Sequence, residues 1–215
     1  MKKEPLLSPK FALALQFANE THSTQKRKSR GAPYISHLLA VCSFVLEYGG
    51  TEEQAIAALL HDAAEDQGGQ PMLDSISVMF GKKVADIVAA CTDSVATDPN
   101  KKEEWLPRKT RYLKHLAKEP GEAKFVSCAD KLHNISNTLR DIRGEGADVW
   151  NEQAENTKNS SAAKQCWYYL RCLKALSNGW ESPIRQEFAH AVVQLCELVG
   201  SADDVAKARK LAGGK

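Results

Sequence analysis

No stretch of this 215-residue sequence stays apolar for the roughly 18 residues that a bilayer crossing needs, because charged or strongly polar side chains interrupt every run. A membrane span is not expected. The opening Met1-Lys2-Lys3 carries the charge of a signal peptide, but Pro9 and Lys10 break the apolar region early and Glu20 follows. The expected compartment is the cytoplasm. An excess of either charge is also missing: 29 Lys and Arg stand against 27 Asp and Glu, a net +2, too little for a protein that coats nucleic acid. Glycine (13) and proline (8) are few, and with 43% hydrophobic and 26% charged residues this excludes collagen-like, low-complexity and wholly disordered chains. Among the six cysteines, Cys42, Cys91, Cys128, Cys166, Cys172 and Cys196, there is no Cys-x-x-Cys pair. Buried thiols are expected, rather than bridges or zinc ligands.

What is present is helical periodicity. Prolines stand where helices begin, apolar patterns of period 3.6 follow them, and two-residue alternation is scarce, so the expected fold class is all-α. Ser8-Pro9 opens a first helix whose stripe runs Phe11, Leu15, Ala18 and on to His22. A basic loop with Lys26, Arg27, Lys28 and Arg30 leads to a second helix over 35–48, stopped by Gly49-Gly50. Thr51-Glu52-Glu53-Gln54 reads as a capping box for a third helix, expected to run to Gly68-Gly69. Two helices hinge at Gly81, another starts near Pro107, and the longest apolar seam is Phe125, Cys128, Leu132, Ile135, Leu139, Ile142. A segment around Trp150 and helices over 162–177, 183–199 and 202–212 complete the chain.

The third helix carries the chemistry. At about 100° per residue, His61, Asp62, Glu65 and Asp66 fall within roughly 140° of one another. Their neighbours Ile56, Ala57, Leu59, Leu60, Ala63 and Ala64 are apolar, so the helix is expected to be buried, and buried charges demand a partner or a metal. Imidazole with carboxylate suits a divalent ion of intermediate hardness, such as Mn²⁺ or Fe²⁺. One helix cannot fill the shell; His22, His37 and Asp130 are the further candidates. His37 taken alone reads equally well as a hydrogen-bonded core histidine. Asp130 shares a polar stripe with Ser127, His133, Asn134 and Asn137, opposite the apolar seam, and periodicity alone leaves it in water.

Three separated motifs, in order, carry a resemblance. They are Lys26-Arg27-Lys28-Ser29 with Pro33-Tyr34-Ile35-Ser36-His37, then Leu59-Leu60-His61-Asp62-Ala63-Ala64-Glu65-Asp66, then Ala129-Asp130-Lys131-Leu132-His133-Asn134. Together they resemble the HD superfamily of metal-dependent phosphohydrolases, and more specifically the hydrolase domain of RelA/SpoT-type alarmone enzymes, over about 8–142. In length the chain is most similar to the stand-alone small alarmone hydrolases. The resemblance implies a single HD-type helical domain over 1–215, with a catalytic core at about 8–142 and a C-terminal helical extension at about 147–215. It implies that His37, His61, Asp62 and Asp130 bind one divalent metal ion, in this family typically Mn²⁺. Glu65 and Asp66 would activate the attacking water or pass its proton to the leaving oxygen. Arg27, Lys28 and Asn134 would contact the nucleotide, and His22 would stand close behind the site.

The implied reaction removes the 3′-diphosphate of a guanosine or adenosine alarmone. The partner expected is a small nucleotide, with no nucleic acid and no membrane; the oligomeric state is open. After Asn134 the run Ile135-Ser136-Asn137-Thr138 lacks an arginine often found in the family, so the choice of base stays open. Two other readings share the motifs: an HD phosphatase acting on NADPH or a nucleoside monophosphate, and a non-catalytic nucleotide-sensing module.

Overall fold

The computed structural model describes residues 6–27, 31–95, 103–146 and 162–213. Among these are ten α-helices, one π-helical turn and no strand. The described chain divides into two compact units. The first holds α1 (Pro9–Thr21), α2 (Ile35–Glu47), α3 (Glu52–Leu60), the π-helical turn Ala64–Gly68, α4 (Gly69–Phe80), α5 (Lys82–Cys91) and the start of α7 (Gly121–Glu145). The second holds α6 (Trp105–Leu116), α7 from Asp130 onward, α8 (Ala162–Leu176), α9 (Pro183–Val199) and α10 (Ala202–Leu211).

Capping residues set the helix starts. Ser8 accepts a hydrogen bond from the Lys10 backbone N–H and Pro9 follows at the first helical position, where its missing N–H costs nothing. Thr51 and Gln54 form the reciprocal box read from the sequence, with Thr51 Oγ1 accepting from Gln54 N at 3.3 Å and Gln54 Oε1 accepting from Thr51 N at 2.8 Å. Ser201 and Asp204 repeat it at α10. Gly81, at φ 99°, turns the chain between α4 and α5 in a conformation that a side chain disfavours.

In the first unit α3 is the pivot, packing on α1, α2 and α5. Every residue from Gln54 to Leu60 is buried. Ala55, Ala57 and Ala58 let helices approach closely, while Ile56, Leu59 and Leu60 each contribute about 1.5–3 kcal/mol of burial. The start of α7 is tied in by Gln54 Nε2 donating to the Glu122 carbonyl at 3.3 Å and by Lys83 pairing with Glu122 at 3.2 Å. In the second unit α9 packs on α8 and α10, and α6 packs on α8, around Leu173, Leu176, Ile184, Phe188 and Leu195. All six cysteines are free, and all but Cys91 are buried.

Two expectations change. The third helix is not regular to its end near Gly68-Gly69: α3 ends at Leu60, His61 and Ala63 keep right-handed helical backbone, and a π-helical turn carries the path to Gly68. The polar stripe of α7 is not a wet face either: Ser127 and Asp130 are buried, and His133, Asn134 and Asn137 are part-buried. Apolar periodicity reports one buried face and is silent when a helix is covered on the polar side as well. The segment around Trp150 lies outside the described residues. Thr51→Ala should lower the unfolding free energy by about 1 kcal/mol in urea titration, because it removes the side-chain acceptor of the Gln54 amide, while Thr51→Ser should stay near the parent.

Candidate metal centre

The turn after α3 is where the candidate residues meet. His37, one turn into α2, and His61 and Asp62, at the break, each offer one donor atom, and the three atoms lie within 4.8 Å of one another. Asp62 Oδ2 stands 3.0 Å from His61 Nε2 and 3.4 Å from His37 Nε2. The imidazoles are 1% exposed and Asp62 is 20% exposed, so the cluster opens to solvent on its carboxylate side.

Donor chemistry tests whether a cation fits. His61 Nδ1 lies 2.8 Å from the Ala58 carbonyl, which can only accept, so Nδ1 carries the proton and neutral Nε2 presents a lone pair toward Asp62. Two lone pairs 3.0 Å apart repel unless positive charge lies between them. A backbone carbonyl on the far nitrogen is also how metal-binding histidines are commonly oriented. The residues therefore fit a divalent ion. Burial works to raise the Asp62 carboxyl; His61 and His37 outweigh it and hold it well below the usual carboxylate range, so it is ionised wherever the protein is folded near neutrality.

Sequence reasoning passes over Tyr34 and Gln25, and both hold the site. Tyr34 donates from its hydroxyl to Asp62 Oδ2 at 2.6 Å, while its ring stacks on His22 at 5.1 Å and meets His37 edge-on at 5.6 Å. Arg27 lies over the same ring, 5.7 Å from its centroid. The basic loop is thus linked to the cluster through one phenol. Gln25 donates to Asp66 Oδ2 at 2.7 Å and accepts from Gln67 Nε2 at 2.8 Å, with His22 Nδ1 at 2.7 Å from the same oxygen. Their place at either end of the basic loop, close in sequence to His37, was the signal available.

The π-helical turn separates the acidic pair. Glu65 is half-buried and accepts a long 3.4 Å bond from the Asp93 backbone N–H, whereas Asp66 is exposed beside Gln25. Lys28 lies outside the described residues. Asp130 and Asn134 belong to the second unit. There Asp130 is buried, accepts from Asn134 Nδ2 at 2.5 Å, and pairs with Lys131 Nζ at 2.5 Å. Burial works to lower the Lys131 ammonium, but the Asp130 carboxylate outweighs it and raises it well above the usual lysine range.

Comparison with known proteins places the fold. The pattern of the HD domain family matches residues 14–157. The guanosine-3′,5′-bis(diphosphate) 3′-pyrophosphohydrolase MESH1 of Xenopus tropicalis is 36% identical over 143 residues, which is 65% of this chain and 73% of that protein. Among solved structures, lmo0812 of Listeria monocytogenes is 28% identical with a TM-score of 0.62, covering 75% of this chain and 99% of that one. A metazoan ortholog of SpoT has a TM-score of 0.55 at 24% identity over 97% of this chain and 96% of that one, a likeness of fold. Since the family pattern spans both the His37 helix and the His61-Asp62 turn, the chain belongs to the HD domain family, with the MESH1 enzymes among its relatives.

Proposed function

We infer that this chain is a metal-dependent phosphohydrolase that removes the 3′-diphosphate from guanosine 3′,5′-bis(diphosphate), with release of pyrophosphate. The observation that carries the reading is the His37, His61, Asp62 cluster, in a chain whose MESH1 relative is named for that reaction. Water adds to the phosphorus attached to O3′, the bond from that phosphorus to O3′ breaks, and a proton ends on O3′.

A divalent cation supplies Lewis acidity toward a phosphoryl oxygen and a lowered pKa for water. His37, His61 and Asp62, with Asp130 as the resemblance implies, would hold it, and mixed imidazole and carboxylate donors suit Mn²⁺. Tyr34 keeps Asp62 turned toward the two imidazoles by its short hydrogen bond. Glu65, half-buried and on the turn that follows Asp62, takes the proton from the attacking water. Asp66, held by Gln25, passes a proton on toward the departing oxygen. Arg27 and Lys28 take the nucleotide, the guanidinium of Arg27 moving from the Tyr34 face to a base or phosphate. Asn134 fixes Asp130 from the next turn of α7 and lies where a substrate contact is implied. Adenosine alarmones offer the same 3′-diphosphate, and the base is read by residues other than the metal cluster. The free cysteines support a reducing compartment such as the cytoplasm.

Purified protein with Mn²⁺ should release pyrophosphate from 3′-diphosphorylated nucleotides; monophosphate release from NADPH or simple nucleotides in its place would reassign the reaction. Asp62→Ala should abolish both turnover and the rise in melting temperature on adding Mn²⁺, and chelation of the wild type should reproduce the loss of turnover. Glu65→Gln should keep the Mn²⁺-dependent thermal shift while lowering kcat by about 10²–10⁴-fold. Tyr34→Phe should weaken Mn²⁺ affinity by about 10–100-fold, measured by the midpoint of metal reactivation, as expected for loss of a hydrogen bond that orients a ligand.

A further inference from the structure

Seven of the chain's 29 basic residues lie on two helices of the second unit: Arg108, Lys109, Arg111 and Lys114 on α6, and Lys164, Arg171 and Lys174 on α8. Neither helix contains Asp or Glu. With 27 acidic residues in the whole chain, the rest of the sequence is net negative, so the near-neutral total conceals two basic helices.

Between α6 and α8 runs an open groove of about 440 Å³, within the size range of small-ligand sites. Lys114, Arg171 and Lys174 line it, and no carboxylate does. None of the three has an ion-pair partner among the described residues. Arg171 and Lys174 stand three apart on one helix, a spacing at which like charges are neighbours and disfavour the helix. A bound anion would relieve that repulsion. The groove wall also fixes its strongest anion ligand in advance: the Arg171 guanidinium lies 5.6 Å from the Trp167 ring centroid, and Trp167 is backed by Trp105 at 5.7 Å. A planar fork held in place loses little freedom on gripping phosphate. Leu113 and Ala117 add an apolar floor beside the cations.

We propose that this groove is a binding site for a nucleoside polyphosphate, separate from the metal centre. Phosphates would lie on Arg171, Lys114 and Lys174, and the base on the apolar floor near Trp167. Three cations around one pocket match a polyphosphate better than a monophosphate. The groove shares no residue with the metal cluster, the basic loop, Asp130 or Asn134. A single-stranded RNA would need a longer basic track with several stacking rings, and a pocket of this volume accommodates one nucleotide.

The test uses the full chain at low salt, with GTP, inorganic pyrophosphate and an RNA 20-mer as probes, followed by tryptophan fluorescence and calorimetry. GTP should bind saturably, and Arg171→Glu and Lys174→Glu should each weaken it by about tenfold or more through loss of a charge-assisted contact. Arg27→Ala should leave that binding unchanged, and pyrophosphate should bind more weakly than GTP. Basal pyrophosphate release from the alarmone, without GTP, should be the same in the groove variants as in the parent. If both charge reversals bind GTP like the parent, the groove is not the site and the proposal falls. Equal affinity for pyrophosphate and GTP overturns the nucleoside part, and displacement of GTP by the RNA at equal nucleotide concentration overturns the small-molecule reading. Should a reversal fail to fold by circular dichroism, Lys114→Gln and Lys174→Gln carry the same test.

Discussion

Asp62 must stay ionised just past a helix whose last six residues, Ala55 to Leu60, are all apolar and buried, and the surroundings of α3 follow from that requirement. A carboxylate set between two buried imidazoles loses the hydration it would have in water. Tyr34 restores one hydrogen bond, at 2.6 Å, and the opening on the carboxylate side restores some contact with solvent. The remaining deficit is the lone-pair repulsion between Asp62 and His61, which only positive charge removes. The apolar packing of Ile56, Leu59 and Leu60 fixes the donors in place before any cation arrives. In energetic terms the core of the first unit holds together a site that electrostatics alone would push apart.

The π-helical turn after Ala63 is what lets neighbouring residues serve different ends. In an unbroken helix, Asp62, Glu65 and Asp66 would project from one face and repel one another. Asp62 lies beside the imidazoles, and the π-helical turn that follows spreads the acidic pair between the Asp93 amide and Gln25. π-Helical turns are uncommon and gather at functional sites, and here one separates a candidate ligand from candidate proton carriers. Tyr34 closes the arrangement on the other side: one ring touches His22, His37, Arg27 and, through its hydroxyl, Asp62. Movement of Arg27 toward a substrate therefore uncovers one side of the ring whose hydroxyl orients Asp62.

Local signals were the legible ones. Ser8-Pro9, the Thr51 box, the Gly81 hinge and the apolar seam of α7 each act within a few residues, and each produced the helix boundary that the pattern predicts. The clustering of His37 with His61-Asp62 was legible through motif order, since no periodicity joins two helices. Three features were not legible, for related reasons. The π-helical turn depends on where the His61 side chain finds a carbonyl. Tyr34 and Gln25 act through tertiary contacts across the basic loop. The buried polar stripe of α7 holds an ion pair, Asp130 with Lys131, whose two charges make each other's burial tolerable; a hydrophobicity pattern scores both as surface residues.

Net charge is a sum over the whole chain and does not describe how charge is distributed. At ordinary ionic strength a charge is felt over roughly 10 Å, so an anion near α6 and α8 responds to the cations around it and not to the carboxylates elsewhere in the sequence. Two helices with seven basic residues and no acidic one create a local field that a total of +2 does not reveal. Arg171 and Lys174 are like-charge neighbours on α8, so each weakens that helix slightly. With Lys114 they face a groove whose arginine is already seated on a tryptophan, so an anion bound there would offset a repulsion that the fold otherwise leaves in place.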